Sequence, residues 1–251
     1  MSKESIVCRQ ARKALSGNWT LVIAGLMVVF ASLMTVFLFF VLLCYFAGFG
    51  DSEEIELNVA YIIITFLSYA VLMFLSPLKN GFFRLCYRLS VGEKSDFSDV
   101  FYFFSGSGRY FKAVGYNLLL VLRVAVYNLA SFLPYNIISI VAPKNSVTSV
   151  ILAVFFGVGT ALFVLLCTFL WVREFVFVDR DMRPIREIRR ASGMIISSHI
   201  LDIITLTYRF IPWIALCFFV LPALYVIPYM STAAATASKW FIMLYKENTP
   251  R

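Results

Sequence analysis

The chain has 251 residues, of which 61% are hydrophobic and only 14% charged, with a mean hydropathy of +0.85. Soluble domains carry about 25% charged residues, so this composition excludes an ordinary water-soluble fold and points to a protein that crosses the membrane several times. The net charge of +8 does not indicate nucleic acid: the basic residues sit in short loops beside hydrophobic runs, with no basic face interleaved with exposed aromatics.

In chain order, Val7, Ala11, Ala14 and Leu15 oppose Arg9, Arg12 and Lys13, which makes residues 6–16 a short amphipathic helix. Ser16-Gly17-Asn18 breaks it, and Trp19 suits the membrane interface. A first span follows over 20–47. It is much longer than the roughly 7–15 apolar residues of a signal peptide and has no A-x-A cleavage site, so a retained span is expected. At 1.5 Å per residue it is about 40 Å long, more than the roughly 30 Å hydrocarbon core, and it should tilt or protrude. The next loop is acidic, with Asp51, Glu53, Glu54 and Glu56.

The second span covers 59–78 and is expected to run on as a helix through Lys79, Arg84 and Arg88, with Pro77 as a kink site. Ser95 or Asp96 can cap a short aromatic helix over 97–104, which Ser105-Gly106-Ser107-Gly108 ends. The third span, 113–142, carries Asn117, Arg123, Asn128, Pro134 and Asn136, and the turn Pro143-Lys144-Asn145-Ser146 closes it. In the fourth span, 147–172, Ala153, Gly157 and Ala161 lie four apart, a small-residue stripe that permits close helix packing.

The stretch from Arg183 to Asp202 is a basic amphipathic helix over 184–197, with Pro184 suited to its first position and Asp181 as a cap. Ile185, Ile188, Ser192 and Ile195 oppose Arg186, Arg189 and Arg190. Such a helix either lies in the headgroup layer or packs on the protein's own cytoplasmic face. The fifth span, 200–220, contains Arg209 and Pro212-Trp213. Val220-Leu221-Pro222 reads as a short outer turn. The sixth span, 223–245, has a nearly all-small middle that includes Ala234 and Ser238, as a buried packing helix would.

The fold class expected is therefore all-α: a single transmembrane domain over 1–251, built as a six-helix bundle with short cytoplasmic amphipathic helices. With six spans, all of the 22 Lys and Arg except Lys144, Arg123 and Arg209 fall on one side. The positive-inside rule then makes that side, and both termini, cytoplasmic. Amphipathic helices beginning near Ile6, Phe97 and Pro184, each followed by a two-span hairpin, suggest a threefold architectural repeat without repeated side chains.

Three stretches resemble an uncharacterised bacterial polytopic membrane protein family, domain of unknown function 975. They are ARKALSGNW (Ala11 to Trp19), the segment Pro77 to Phe101 with Gly81 and GEKSDFSDVF, and a C-terminal third. In that third the basic helix precedes Pro212-Trp213, and Pro228-Tyr229 opens the small-residue run. Together they touch about half the chain. The middle departs from the family, which has a Pro-Gly break between spans three and four. The resemblance implies a helical bundle of about six spans and no assigned activity.

Arg123 and Arg209 are the costly residues, on the order of 2.5–3.5 kcal/mol each at a helix centre. Facing inward they would form an anion or lipid-phosphate site; otherwise they snorkel to inner headgroups or pair with Asp202, Glu174 or carbonyls. Asn117, Asn128 and Asn136 read as interhelical hydrogen-bond partners, and His199, the only histidine, as an interfacial residue without partners. The five cysteines lie far apart, with no CxxC or Cys/His cluster, so free thiols and no metal site are expected. No HExxH, GxSxG, P-loop or paired intramembrane carboxylates occur, so no catalytic residue and no cofactor is expected. The main functional expectation is a non-enzymatic component of a bacterial inner membrane. Its basic helix (Arg186, Arg189, Arg190) would contact anionic inner-leaflet lipid, with a membrane-protein partner or a second copy as further contacts. The alternative is a small transporter with a site near Arg123 and Arg209.

Overall fold

A computed structural model describes residues 3–46, 59–141, 145–217 and 220–248. The expected acidic loop and Lys144 lie outside the described residues. All described elements are helical: α1 (Lys3–Leu15), α2 (Trp19–Phe46), α3 (Val59–Leu75), α4 (Pro77–Val91), a 3-10 helix (Phe97–Phe104), α5 (Ser107–Val141), α6 (Ser146–Cys167), α7 (Leu170–Asp179), α8 (Ile185–Ser198), α9 (Ile200–Leu216) and α10 (Val220–Asn248).

Among the described residues, four helices are long and apolar enough to cross a membrane: Trp19–Phe46, Ile62–Val91, Ser107–Val141 and Ser146–Asp179. The pair Ile185–Ser198 and Ile200–Ile214, bent by 82°, makes a fifth if it counts as one span. Two of the four contain breaks. Ser76 keeps helical dihedrals and Pro77 takes the first position of α4, where its missing N–H costs nothing, so α3 runs into α4 as anticipated. The expected single span 147–172 is divided near Thr168, whose hydroxyl bonds back to the Val164 carbonyl. Pro134 is accommodated inside α5.

The short helices form for legible reasons. Gly17 (φ 84°) and Gly92 (φ 86°) take the left-handed conformation that ends α1 and α4. The 3-10 helix starts on a capping box between Asp96 and Asp99. Two boundary readings are corrected. Pro184 caps α8 from outside rather than opening it, and Asp181 receives Arg84 at 3.4 Å instead of acting as a cap. Val220-Leu221-Pro222 is not a loop, because α10 already starts at Val220.

The core lies at one end of the molecule. α4, α7 and α10 touch one another pairwise and form its centre; α1 packs on α10 and α4, the 3-10 helix on α4 and α5, and α8 on α7, α9 and α10. The expected threefold order is thus visible in the packing: each hairpin returns through one central helix and is accompanied by one short outer helix. Gly81 permits the closest approach, since a Cβ there would stand 1.9 Å from the Val100 carbonyl oxygen of the 3-10 helix. Phe177 of α7 is stacked between Tyr116 of α5 (centroids 4.1 Å apart) and Phe103 (5.5 Å). The small run of α10 is buried as expected: Ser238 fully, with Thr232, Ala233 and Ala235, and Ala234 partly.

Away from this end the apolar helices are sparsely covered. Only 6% of the most hydropathic window is buried in α2, in α5 and in the α6–α7 helix. The third hairpin is also the shortest. Thr232 faces Cys86, and Lys239 Nζ donates to the Ser90 carbonyl at 3.2 Å, which sets the register of α10 on α4. From that level the start of α10 is about 18 Å away along its axis, whereas the start of α3 is about 40 Å away.

Candidate functional site

The packed end carries most of the charge chemistry. Lys79 of α4 pairs with Glu174 of α7. Arg88 holds Asp99 at 2.6 Å and Glu93 at 3.0 Å. Arg84 reaches Asp181 at 3.4 Å and lies 3.5 Å over the Tyr102 ring. Tyr87 donates to Asp179 at 2.8 Å, and Lys246 reaches the same carboxylate at 3.2 Å. Lys112 donates to the Asp181 carbonyl. Burial, followed by the neighbouring Asp181, raises the Tyr102 hydroxyl above its usual range. The Asp96 carboxylate is held below its usual range, first by the Phe97 N–H and then by Ser98. These pairs join α4, α7, α10 and the 3-10 helix, so they are structural cross-links of the core.

The arginines of α8 are placed differently. Ile188, Ser192 and Ile195 are buried against the protein, whereas Arg186, Arg189 and Arg190 are exposed. The apolar stripe of this helix is therefore turned to the protein's own core. With Glu187, the three arginines bound a shallow surface cavity of about 440 Å³.

Arg123 and Arg209 are not brought into one described cavity. Arg123 is half-buried on α5 and Arg209 is exposed on α9. Neither takes the carboxylates anticipated for it: Glu174 goes to Lys79, and Asp202 Oδ2 lies 3.5 Å from His199 Nδ1. Arg123 lies within electrostatic reach of Arg173. Sequence reading passed over Arg173 because it stands at the end of a span, where a cation is ordinary. The periodicity that places it opposite α5 emerges only from the pairing of the two helices.

His199 is not alone, contrary to the expectation. It stacks on Phe241 (centroids 4.7 Å, 19° between planes) and helps to line a cavity of about 110 Å³ with Glu4, Asp202 and Trp240. Asn117 is an interhelical partner as expected, its amide donating to Ser76 Oγ at 3.0 Å, while Asn128 and Asn136 are exposed. The stripe Ala153, Gly157 and Ala161 is also corrected: all three are exposed, with nothing within 4 Å of a Cβ at Gly157. The small residue that α6 packs is Gly159, where a Cβ would stand 2.7 Å from the Ser131 carbonyl oxygen. The five cysteines are free thiols. No family model, curated protein or solved structure matches this chain.

Proposed function

We propose that the protein is a non-enzymatic, multi-pass component of a bacterial plasma membrane, a member of the resembled family, that engages anionic inner-leaflet lipid through its basic end. Read with the shorter α9–α10 hairpin as two further membrane helices, the four spans would give six, and the positive-inside rule would then put the basic end and both termini on the cytoplasmic side. One observation carries the reading. The α8 helix spends its apolar stripe on the core and leaves Arg186, Arg189 and Arg190 outward, an arrangement suited to phosphate headgroups. The test is lipid enrichment around the full-length protein in mixed phosphatidylcholine and phosphatidylglycerol nanodiscs. Replacing the three arginines by glutamine should abolish phosphatidylglycerol enrichment; unchanged enrichment would remove the proposal.

The second reading, a small transporter with an anion or lipid-phosphate site near Arg123 and Arg209, has the half-buried position of Arg123 in its favour. Anion flux into proteoliposomes that disappears in Arg123→Gln would support it over the first.

A further inference from the structure

The inference rests on the lipid reading above and deepens it. Tyr116, Arg123 and Tyr127 are spaced seven and four apart on α5, so they share one helix face. That face is turned to α7, because the Tyr116 hydroxyl donates to the Arg173 carbonyl at 2.7 Å. The Arg173 guanidinium donates to Ser192 Oγ of α8 at 3.3 Å and feels the charge of Arg123 and the hydroxyl of Tyr127 on the facing side of α5. Its Nε is buried without a hydrogen-bond partner. Among the described residues no carboxylate pairs with either guanidinium, since the neighbouring Glu174 is held by Lys79.

Two like charges at the margin of an apolar layer repel each other, and a buried N–H left unpaired costs further free energy. Both costs vanish when one anion is shared between them. Two guanidinium groups with the Tyr127 hydroxyl offer the multidentate donor set that phosphate oxygens take, while Ser192, whose own proton goes to the Arg189 carbonyl, only holds Arg173 in place. We propose that Arg123 and Arg173, with Tyr127, form a site for a single phosphate oxyanion beneath α8. Its source is either the headgroup of an anionic lipid or free phosphate, for which the donor chemistry is the same.

The experiment uses the full-length protein in phosphatidylcholine nanodiscs doped with phosphatidylglycerol, with lipid retention read by native mass spectrometry and competition by inorganic phosphate. Wild type should retain one anionic lipid, or bind inorganic phosphate in its place. Arg123→Gln should weaken that binding about tenfold or more, as expected for a lost charge-assisted bond. Arg123→Lys should restore it only in part, because an ammonium cannot fork. Arg123→Gln takes a charge out of the apolar layer, so the fold is expected to survive. Tyr127→Phe, a still milder change, should weaken binding by about threefold. Competition by millimolar inorganic phosphate would identify free phosphate as the source; its failure to compete, with the lipid retained, would identify the headgroup. Retention unaltered in both Arg123→Gln and Tyr127→Phe would overturn the site. The triple glutamine variant at 186, 189 and 190 separates this inference from its parent. If it loses bulk enrichment but keeps the single retained lipid, both stand. If only the triple variant loses lipid, the basic face stands and the site falls.

Discussion

The basic end and the apolar arms of this molecule are held by different physics. At the basic end, α4 lies so close to the 3-10 helix that Gly81 cannot carry a side chain, ion pairs join α4 to α7 and α7 to α10, and Lys239 of α10 donates to the Ser90 carbonyl of α4. In the arms, Phe37, Phe66 and Ile140 are exposed, and α5 and α6 touch mainly each other. In lipid, exposing a phenylalanine costs nothing, so the arms need no partner. The comparison teaches that uniqueness of structure is concentrated where water competes.

Four substitutions, two of them paired with a control elsewhere in the chain, would break or sharpen this contrast. The largest effect is expected for Phe177→Ala, which empties the space between two stacked rings and should cost about 3–5 kcal/mol, whereas Phe66→Ala in an arm should be nearly silent. Thermal unfolding in detergent would show it; equal losses at both positions would erase the distinction. Next, Gly81→Ala must displace the 3-10 helix backbone and should cost about 3 kcal/mol, while Gly157→Ala, with open space around it, should stay within about 0.5 kcal/mol of wild type. Asp99→Asn leaves Arg88 without its 2.6 Å partner and weakens the capping box, with an expected loss of about 2 kcal/mol after allowance for the partly exposed arginine. A denaturant midpoint unchanged in this variant would show that the cross-links add nothing to packing.

The smallest effect concerns acid. The Asp96 carboxyl titrates below its ordinary 3.8 in the folded chain, so its contribution is complete above that value and disappears as pH falls through the lower folded one. Asp96→Asn should therefore reduce the loss of stability as pH falls through and below 3.8, measured as melting temperature against pH. A parallel pair of curves would mean that Asp96 has no part in it.

Much of the architecture was legible because hydrophobic length and helix punctuation are local signals. The outer helices over 97–104 and 185–198, the break at Gly17, and the buried run around Ser238 follow from residues within one or two turns. Apart from the helix boundaries at Pro184 and Val220 and the His199–Asp202 pair within one turn, the failures are nonlocal. Ala153, Gly157 and Ala161 have the spacing of a packing stripe, but Gly159 faces the partner helix, because rotation about the α6 axis is set by α5. The pairing of Glu174 with Lys79 and the proximity of Arg173 to Arg123 depend on which helices touch, and periodicity carries no such information.

The convergence of one return helix from each hairpin has a consequence for biosynthesis. Two of those helices, α4 and α7, are synthesised before the third, α10. The earlier hairpins can settle in the bilayer one at a time, yet the junction that locks them cannot close before α10 has been made. A stalled or truncated chain would then display an unfilled groove beside α4, a ready mark for quality-control proteolysis.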